Sequence, residues 1–390
     1  MFVVSVMLVM LSCEELIPSA PAADALLDGP VDGLSDAEHR KFLRGDVAFN
    51  DNIFTAQTGL GPIFVATSCG GCHAGDGKGH PFTTLTRFGQ TDDTGNIYLD
   101  KGGPQLQHRA LSGFTAEQIP EGATFSKFTP PANTGLGFIE LVPDSDILTL
   151  ADPADVDGDG ISGVPNWIKI PYYVEDDEAI EQNGKYIGRF GKKAAVRSLM
   201  QQTVNAYNQD IGITSTYEPY DVYSGLETDP EVSIQTINDV VFYLQTLKAP
   251  IQRNQAKASV IAGKELFIQI GCERCHKQTL KTGDSSIPAL SNKEFHPYTD
   301  LLLHDMGTGL DDGYTEGGAK TFEWRTPPLW GIGLSPNSQG GSYYLMHDGR
   351  ATSIEQAILM HGGEAAMITE LYTQLSQEDK DLIIEFLESL

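Results

Sequence analysis

Positive charge is scarce in this chain. Its 26 lysines and arginines face 53 aspartates and glutamates, a net charge of −27 over 390 residues. That deficit excludes duplex DNA or RNA as a partner, because a phosphate backbone is bound by clustered basic side chains that release counterions. Long hydrophobic runs are missing too: no stretch reaches the roughly 20 apolar residues of a membrane-spanning helix. The N-terminal run that ends at Cys13 holds only about ten, the length of the apolar core of an export signal. Ser12-Cys13 followed by a polar stretch reads as a lipoprotein cleavage site with Cys13 as the lipidation candidate; an ordinary signal peptide with an incidental cysteine is the alternative. Residues 1–33 are accordingly read as leader and tether, and any membrane contact as resting on a lipid anchor. The expected compartment is the periplasm of a Gram-negative bacterium, at the outer membrane if Cys13 is lipidated.

Cysteine is also sparse, with five in all, yet four of them fall into two copies of one pattern. Cys69-Gly-Gly-Cys72-His73 and Cys272-Glu-Arg-Cys275-His276 are both C-x-x-C-H, the attachment sequence of a c-type haem. Two thiols at this spacing add across the haem vinyl groups, and the adjacent histidine reaches the iron. A redox dithiol does not need the trailing histidine, and a four-cysteine zinc site would leave both histidines unexplained. Two covalently bound haems are therefore expected. At about 150 residues per domain the chain makes two or three units, and glycine (41) and proline (21) are abundant enough to imply long ordered loops.

Hydrophobic periodicity places helices around both motifs. Leu34–Asn50, opened by Ser35, precedes the first. Ser233–Leu247, with Ile237, Val240, Val241 and Leu244 on one stripe, closes that unit before the linker Lys248–Lys257. Ser259–Ile270 runs into the second motif, and Ser376–Leu390 is the closing helix. The fold class expected is mainly α with long loops, as two cytochrome c-like domains spanning residues 34–249 and 250–390. Separately, Asp155-x-Asp157-x-Asp159-Gly160-Ile161 matches the first half of a calcium loop, with three carboxylates and the Ile161 carbonyl as ligands; Asn166 stands where a bidentate glutamate would close it.

Several further strings carry a family resemblance: Gly135-Leu-Gly-Phe-Ile-Glu140, Gly188-Arg-Phe-Gly191, Leu301-Leu-Leu-His-Asp-Met-Gly307, Arg325-Thr-Pro-Pro-Leu-Trp-Gly331 and His347-Asp-Gly-Arg350. With the acidic loop and both haem motifs, the chain resembles the di-haem c-type oxidoreductases, in particular the subfamily named thiol oxidoreductases. These are related to bacterial di-haem cytochrome c peroxidase and to the methylamine dehydrogenase maturation enzyme. The resemblance implies calcium near the domain interface, one haem that reacts with peroxide, and a second that feeds it electrons from a small cytochrome or cupredoxin. Relatives commonly carry tryptophan after Arg-Phe-Gly, whereas this chain has Lys192; Trp330 and Trp167 are the candidate substitutes.

The resemblance also suggests sixth ligands. The distal ligand of the second haem in relatives lies fourteen residues after the His-Asp-Gly histidine, which is His361 here. Ser353-x-x-Gln356 reads as a capping box that opens a helix, with Gly362-Gly363 ending it and His361 on its last turn. Met360 as the ligand, or His361 as a structural histidine, are the alternatives. The family's distal glutamate for the first haem maps to Glu140, whose neighbours Phe138, Ile139 and Leu141 would raise its pKa. Gln105 and His108 are placed on the same distal wall, and His80 is a possible blocking ligand of that iron. The function expected is a peroxidase-like oxidoreductase that passes electrons from the C-terminal haem to the N-terminal one; a non-catalytic di-haem electron carrier is the rival reading.

Overall fold

The structure, a computed structural model, describes residues 22–174 and 178–390. Cys13 and most of the leader lie outside the described residues. Among the described residues ten α-helices carry the fold: α1 Asp36–Asp46, α2 Leu136–Glu140, α3 Asp144–Leu150, α4 Leu199–Ile211, α5 Ile234–Thr246, α6 Ala258–Gln269, α7 Ser335–Ser338, α8 Ile354–Leu359, α9 Ala366–Gln374 and α10 Gln377–Ser389. The β-structure among the described residues is confined to antiparallel pieces of two or three short strands. The fold is thus helix-rich but mixed. Among the described residues no helix is long and apolar enough to cross a membrane.

Serine caps start α1, α4, α5 and α10, whereas α6 begins after Lys257 without a side-chain cap. The Ser35 hydroxyl accepts from the Glu38 N–H while the Glu38 carboxylate accepts from the Ser35 N–H, a reciprocal cap on α1. Ser198, Ser233 and Ser376 cap α4, α5 and α10 in the simpler one-way form. At α8 the expected capping box is only half built. Ser353 accepts from the Gln356 N–H, but the Gln356 side chain accepts from Thr352 instead.

Two helix pairs organise the core in the same way. α1 packs on α5 and α6 packs on α10, and each crossing is pinned by a glycine. A Cβ at Gly45 would overlap the Asp239 carbonyl, and one at Gly263 would overlap the Leu382 carbonyl, so only glycine lets the backbones approach this closely. In each pair the first helix leads toward a C-x-x-C-H motif and the second comes later in the chain. The apolar side chains form two main clusters. One gathers α1, α4 and α5 with Leu280, Leu290, Phe295, Leu301, Leu302 and Trp330; the other gathers α6, α8, α9 and α10. The segment that follows the second motif therefore packs into the first cluster.

Candidate active site

Both C-x-x-C-H segments adopt one local geometry. The His73 N–H returns to the Cys69 carbonyl at 3.0 Å, and the His276 N–H to the Cys272 carbonyl at 3.1 Å, so each motif closes on itself in a single turn. In each, the imidazole Nδ1–H donates to a distant carbonyl: His73 to Pro131 at 3.0 Å, His276 to Tyr298 at 3.0 Å. A carbonyl accepts only, so the tautomer is set and Nε2 keeps its lone pair. A phenylalanine from the preceding helical segment lies near each ring, Phe49 at 5.9 Å from His73 and Phe267 at 6.3 Å from His276.

All four motif thiols and both imidazoles line one continuous cavity that runs between the two halves. The four cysteines are unbonded. Burial pushes the Cys69 and Cys272 thiols up to about 12 and Cys72 up to about 11, so none is a ready thiolate. That disfavours dithiol exchange, which proceeds through the thiolate.

At the second motif, His361 faces His276. Its Nδ1–H donates to the Ala357 carbonyl at 2.7 Å, which again leaves Nε2 free, and the two ring centroids are 6.5 Å apart. Metal–imidazole bonds of about 2 Å and a ring radius of about 1.1 Å place two axial imidazoles about 6.2 Å apart across one iron. The residues present therefore fit a bis-histidine haem. α8 ends before His361, at Leu359, so the histidine sits just past the helix rather than on its last turn. His304 lies beside this site, held between Asp300 and Glu364 at 2.8 Å each and 3.7 Å from the Cys275 sulfur. Burial alone would lower its pKa, but the two carboxylates prevail and raise it to about 12, so it is an imidazolium.

The first motif has a different environment. Among the described residues no second imidazole pairs with His73. The neighbouring cavity wall is polar instead, built from Arg87, Gln105, Gln209, Asp210 and Glu316. Arg87 donates to Glu316, Gln105 and Gln209 at 2.8, 3.1 and 3.1 Å. The Gln105 amide donates to the Asp210 carboxylate. Burial lifts Asp210 to about 6, against the opposing pull of Gln105 and Arg87, and its charge is felt by both Cys69 and Cys72. Asp210 was not legible as a site residue, since it stands on α4, far along the chain from any motif.

Three sequence expectations need correcting here. Glu140 is not on the cavity wall: its carboxylate accepts from the Leu199 N–H and from Gln245, both at 2.7 Å, which ties the start of α4 and the last turn of α5 to the end of α2. His108 lies in a separate cleft with Cys72, Phe82 and Arg109, and His80 packs on Phe82 and Tyr344. Of the proposed distal trio only Gln105 lines the main cavity. In the acidic loop, Asp155 and Asp157 gather with Asp152, which the motif did not include, whereas Asp159 turns to Arg274 at 3.4 Å and accepts from the Ile161 N–H. The loop is also tied to the second site, because Glu364 accepts from both the N–H and the hydroxyl of Ser162.

The family described as "Di-haem oxidoreductase, putative peroxidase" matches residues 126–390. The chain belongs to that di-haem oxidoreductase family. Among solved structures, it is similar to a hydrazine synthase from Kuenenia stuttgartiensis pressurised with xenon, at 14% identity and a TM-score of 0.40 over 93% of this chain and 90% of that one. No curated protein matches it.

Proposed function

We propose that this protein is an exported di-haem c-type cytochrome of two cytochrome c-like units that reduces peroxide. The observation that carries the reading is the asymmetry of the shared cavity. One end presents two facing imidazoles, His276 and His361, the ligation of an electron-transfer site. The other presents a single imidazole, His73, beside a polar wall. When bound, the haems would supply one-electron redox chemistry and, at the His73 end, a position for peroxide. Cys69, Cys72, Cys272 and Cys275 would anchor them covalently.

The chain's own residues then have definite tasks. Asp210, whose raised pKa lets it both take and return a proton near neutral pH, moves the proton between the peroxide oxygens, and Gln105 holds its carboxylate in place. Arg87 keeps positive charge beside the site where negative charge develops. The acidic loop would take calcium through Asp152, Asp155 and Asp157, and the Ser162–Glu364–His304 chain would transmit its geometry to the second site. The electron donor would be a small cytochrome or cupredoxin. A periplasmic location follows from the need for haem attachment outside the cytoplasm, with Cys13 as the lipid anchor.

Haem staining of a denaturing gel with pyridine haemochrome quantitation should give two haems per chain, and Cys72→Ala should lower this toward one. Stopped-flow mixing of half-reduced protein with peroxide should change the spectrum of the His73 haem alone. Two low-spin irons that ignore peroxide at every reduction level would establish the electron-carrier reading instead.

A further inference from the structure

Lys192 and Lys193 are sequence neighbours with opposite surroundings. The Lys193 ammonium is satisfied: it donates to the carbonyls of Lys320, Thr321 and Glu323 at 3.2, 2.7 and 2.6 Å and lies 3.6 Å from the centre of the Trp324 ring. Lys192 lines the main cavity, and among the described residues its ammonium has no hydrogen bond and no ion pair. Lys78, five residues after His73, lines the same cavity and is equally without a partner for its ammonium. Arg325 completes the group. Its Nε donates to the Gly191 carbonyl and its Nη1 to the Thr326 carbonyl, so no carboxylate pairs with it and Nη2 remains available.

Lys192 thus shares its part of the cavity with two further cations, Lys78 and Arg325, and among the described residues no carboxylate forms an ion pair with any of the three. The other two act on Lys192, whose pKa burial, Lys78 and Arg325 together push well below the usual lysine range. The charge of Asp348 favours the ammonium of Lys192, but that carboxylate is already held by Arg350 at 2.8 Å. A cation bordering such a cavity is stabilised when a counter-charge arrives.

We propose that Lys78, Lys192 and Arg325 form a carboxylate-binding cradle that receives haem propionates at the first site, so that Lys192 is an electrostatic positioning residue where relatives carry an aromatic one. The proposal rests on the di-haem reading. The chemistry fits each member. Arg325 offers a planar fork to a carboxylate, the two lysines offer point charges, and propionates bring anions with the cofactor itself. Lys192 is close enough for its charge to be felt at His73, so its pairing bears on that haem's potential. A cation that neutralises a propionate disfavours the ferric state, and its removal therefore lowers the potential.

The test uses the full-length holoprotein and spectroelectrochemistry. Lys192→Met should shift the ferric/ferrous equilibrium of the His73 haem about tenfold toward ferric, which is about 59 mV for a one-electron couple. The His276 haem should keep its potential, the propionate bending bands in the resonance Raman spectrum should move, and Lys192→Arg should restore both readouts. Should Lys192→Met lose its haem, Lys78→Met and Lys192→Arg carry the same measurements. Unchanged potentials and unchanged propionate bands in both methionine variants would overturn the cradle. So would a saturable spectral response of the wild type to acetate that Lys192→Met abolishes, since that would assign the cations to a free carboxylate. A wild-type chain that stains for no covalent haem would defeat the di-haem reading first, and that outcome is distinguishable before any variant is made.

Discussion

Replacing Asp144 by alanine should destabilise the N-terminal half more than any other single exposed-to-apolar or polar-to-apolar change at the site. The Asp144 side chain is 1% exposed and its Oδ1 accepts from Arg189 at 2.5 Å and from Arg197 at 2.7 Å, both guanidiniums also being almost fully buried. Its Oδ2 accepts from the Ile180 N–H at 2.9 Å. Through Arg189, which also donates to the Glu140 carbonyl, the carboxylate fixes the end of α2, the Gly-Arg-Phe-Gly turn and, through Arg197, the approach to α4. Removing one partner of a buried pair costs about 3–5 kcal/mol, because the remaining charge stays buried without compensation. For a unit of some 200 residues each kcal/mol moves Tm by about 2–4 °C, so a fall of about 10 °C is expected. The assay is calorimetry of the holoprotein. The effect should also depend on pH. Burial raises the Asp144 carboxyl, but the Arg197 hydrogen bond and the charges of Arg189 and Arg197 outweigh it and hold it below 3.8. A depressed carboxyl contributes stability that is complete above its unfolded value and lost as pH falls through its folded value. The gap between wild type and Asp144→Ala should therefore be full near pH 7 and narrow below about pH 4. A Tm change under 2 °C at pH 7, or a gap that widens in acid, would refute the reasoning.

Other outcomes follow from the site. His361→Ala should turn the second iron from low-spin to high-spin in the electron paramagnetic resonance spectrum and raise its potential; an unchanged spectrum would remove His361 from the ligand set. Asp210→Asn should slow peroxide reduction by about 10²–10⁴, with both haems retained. Glu140→Gln should leave that rate nearly unchanged and lower stability by about 1 kcal/mol, the scale of a weakened helix cap; the reverse pattern would return the proton-relay role to Glu140. Asp155→Asn combined with Asp157→Asn should abolish calcium binding by isothermal titration and slow electron transfer between the haems, whereas heat of binding equal to wild type would disconnect the loop from calcium.

Local chemistry was legible in the chain because it repeats at short range. Two C-x-x-C-H strings, the serines that open α1, α5, α8 and α10, and the apolar stripes of α5 and α10 each depend on residues within a turn or two of one another. Their periodicity survives any arrangement of the rest. His361 was singled out by the family resemblance, and the serine at 353 with Gly362-Gly363 placed it near a helix end. What the residues could not declare was who stands opposite whom. Glu140 sits among apolar neighbours in the sequence, yet those neighbours turn toward the core and its carboxylate turns to the N–H of Leu199. Asp210 and Arg87 are 123 positions apart and meet only because the strand Leu85–Phe88 and α4 border the same cavity. Asp152 joins the acidic cluster because the chain folds back there, outside the motif's register. The contrast between Lys192 and Lys193 is the sharpest case. Adjacent and chemically identical, they differ because backbone geometry sends one ammonium to three carbonyls and the other into the main cavity, where among the described residues it has no ion-pair partner, and only tertiary packing decides which lysine receives which environment.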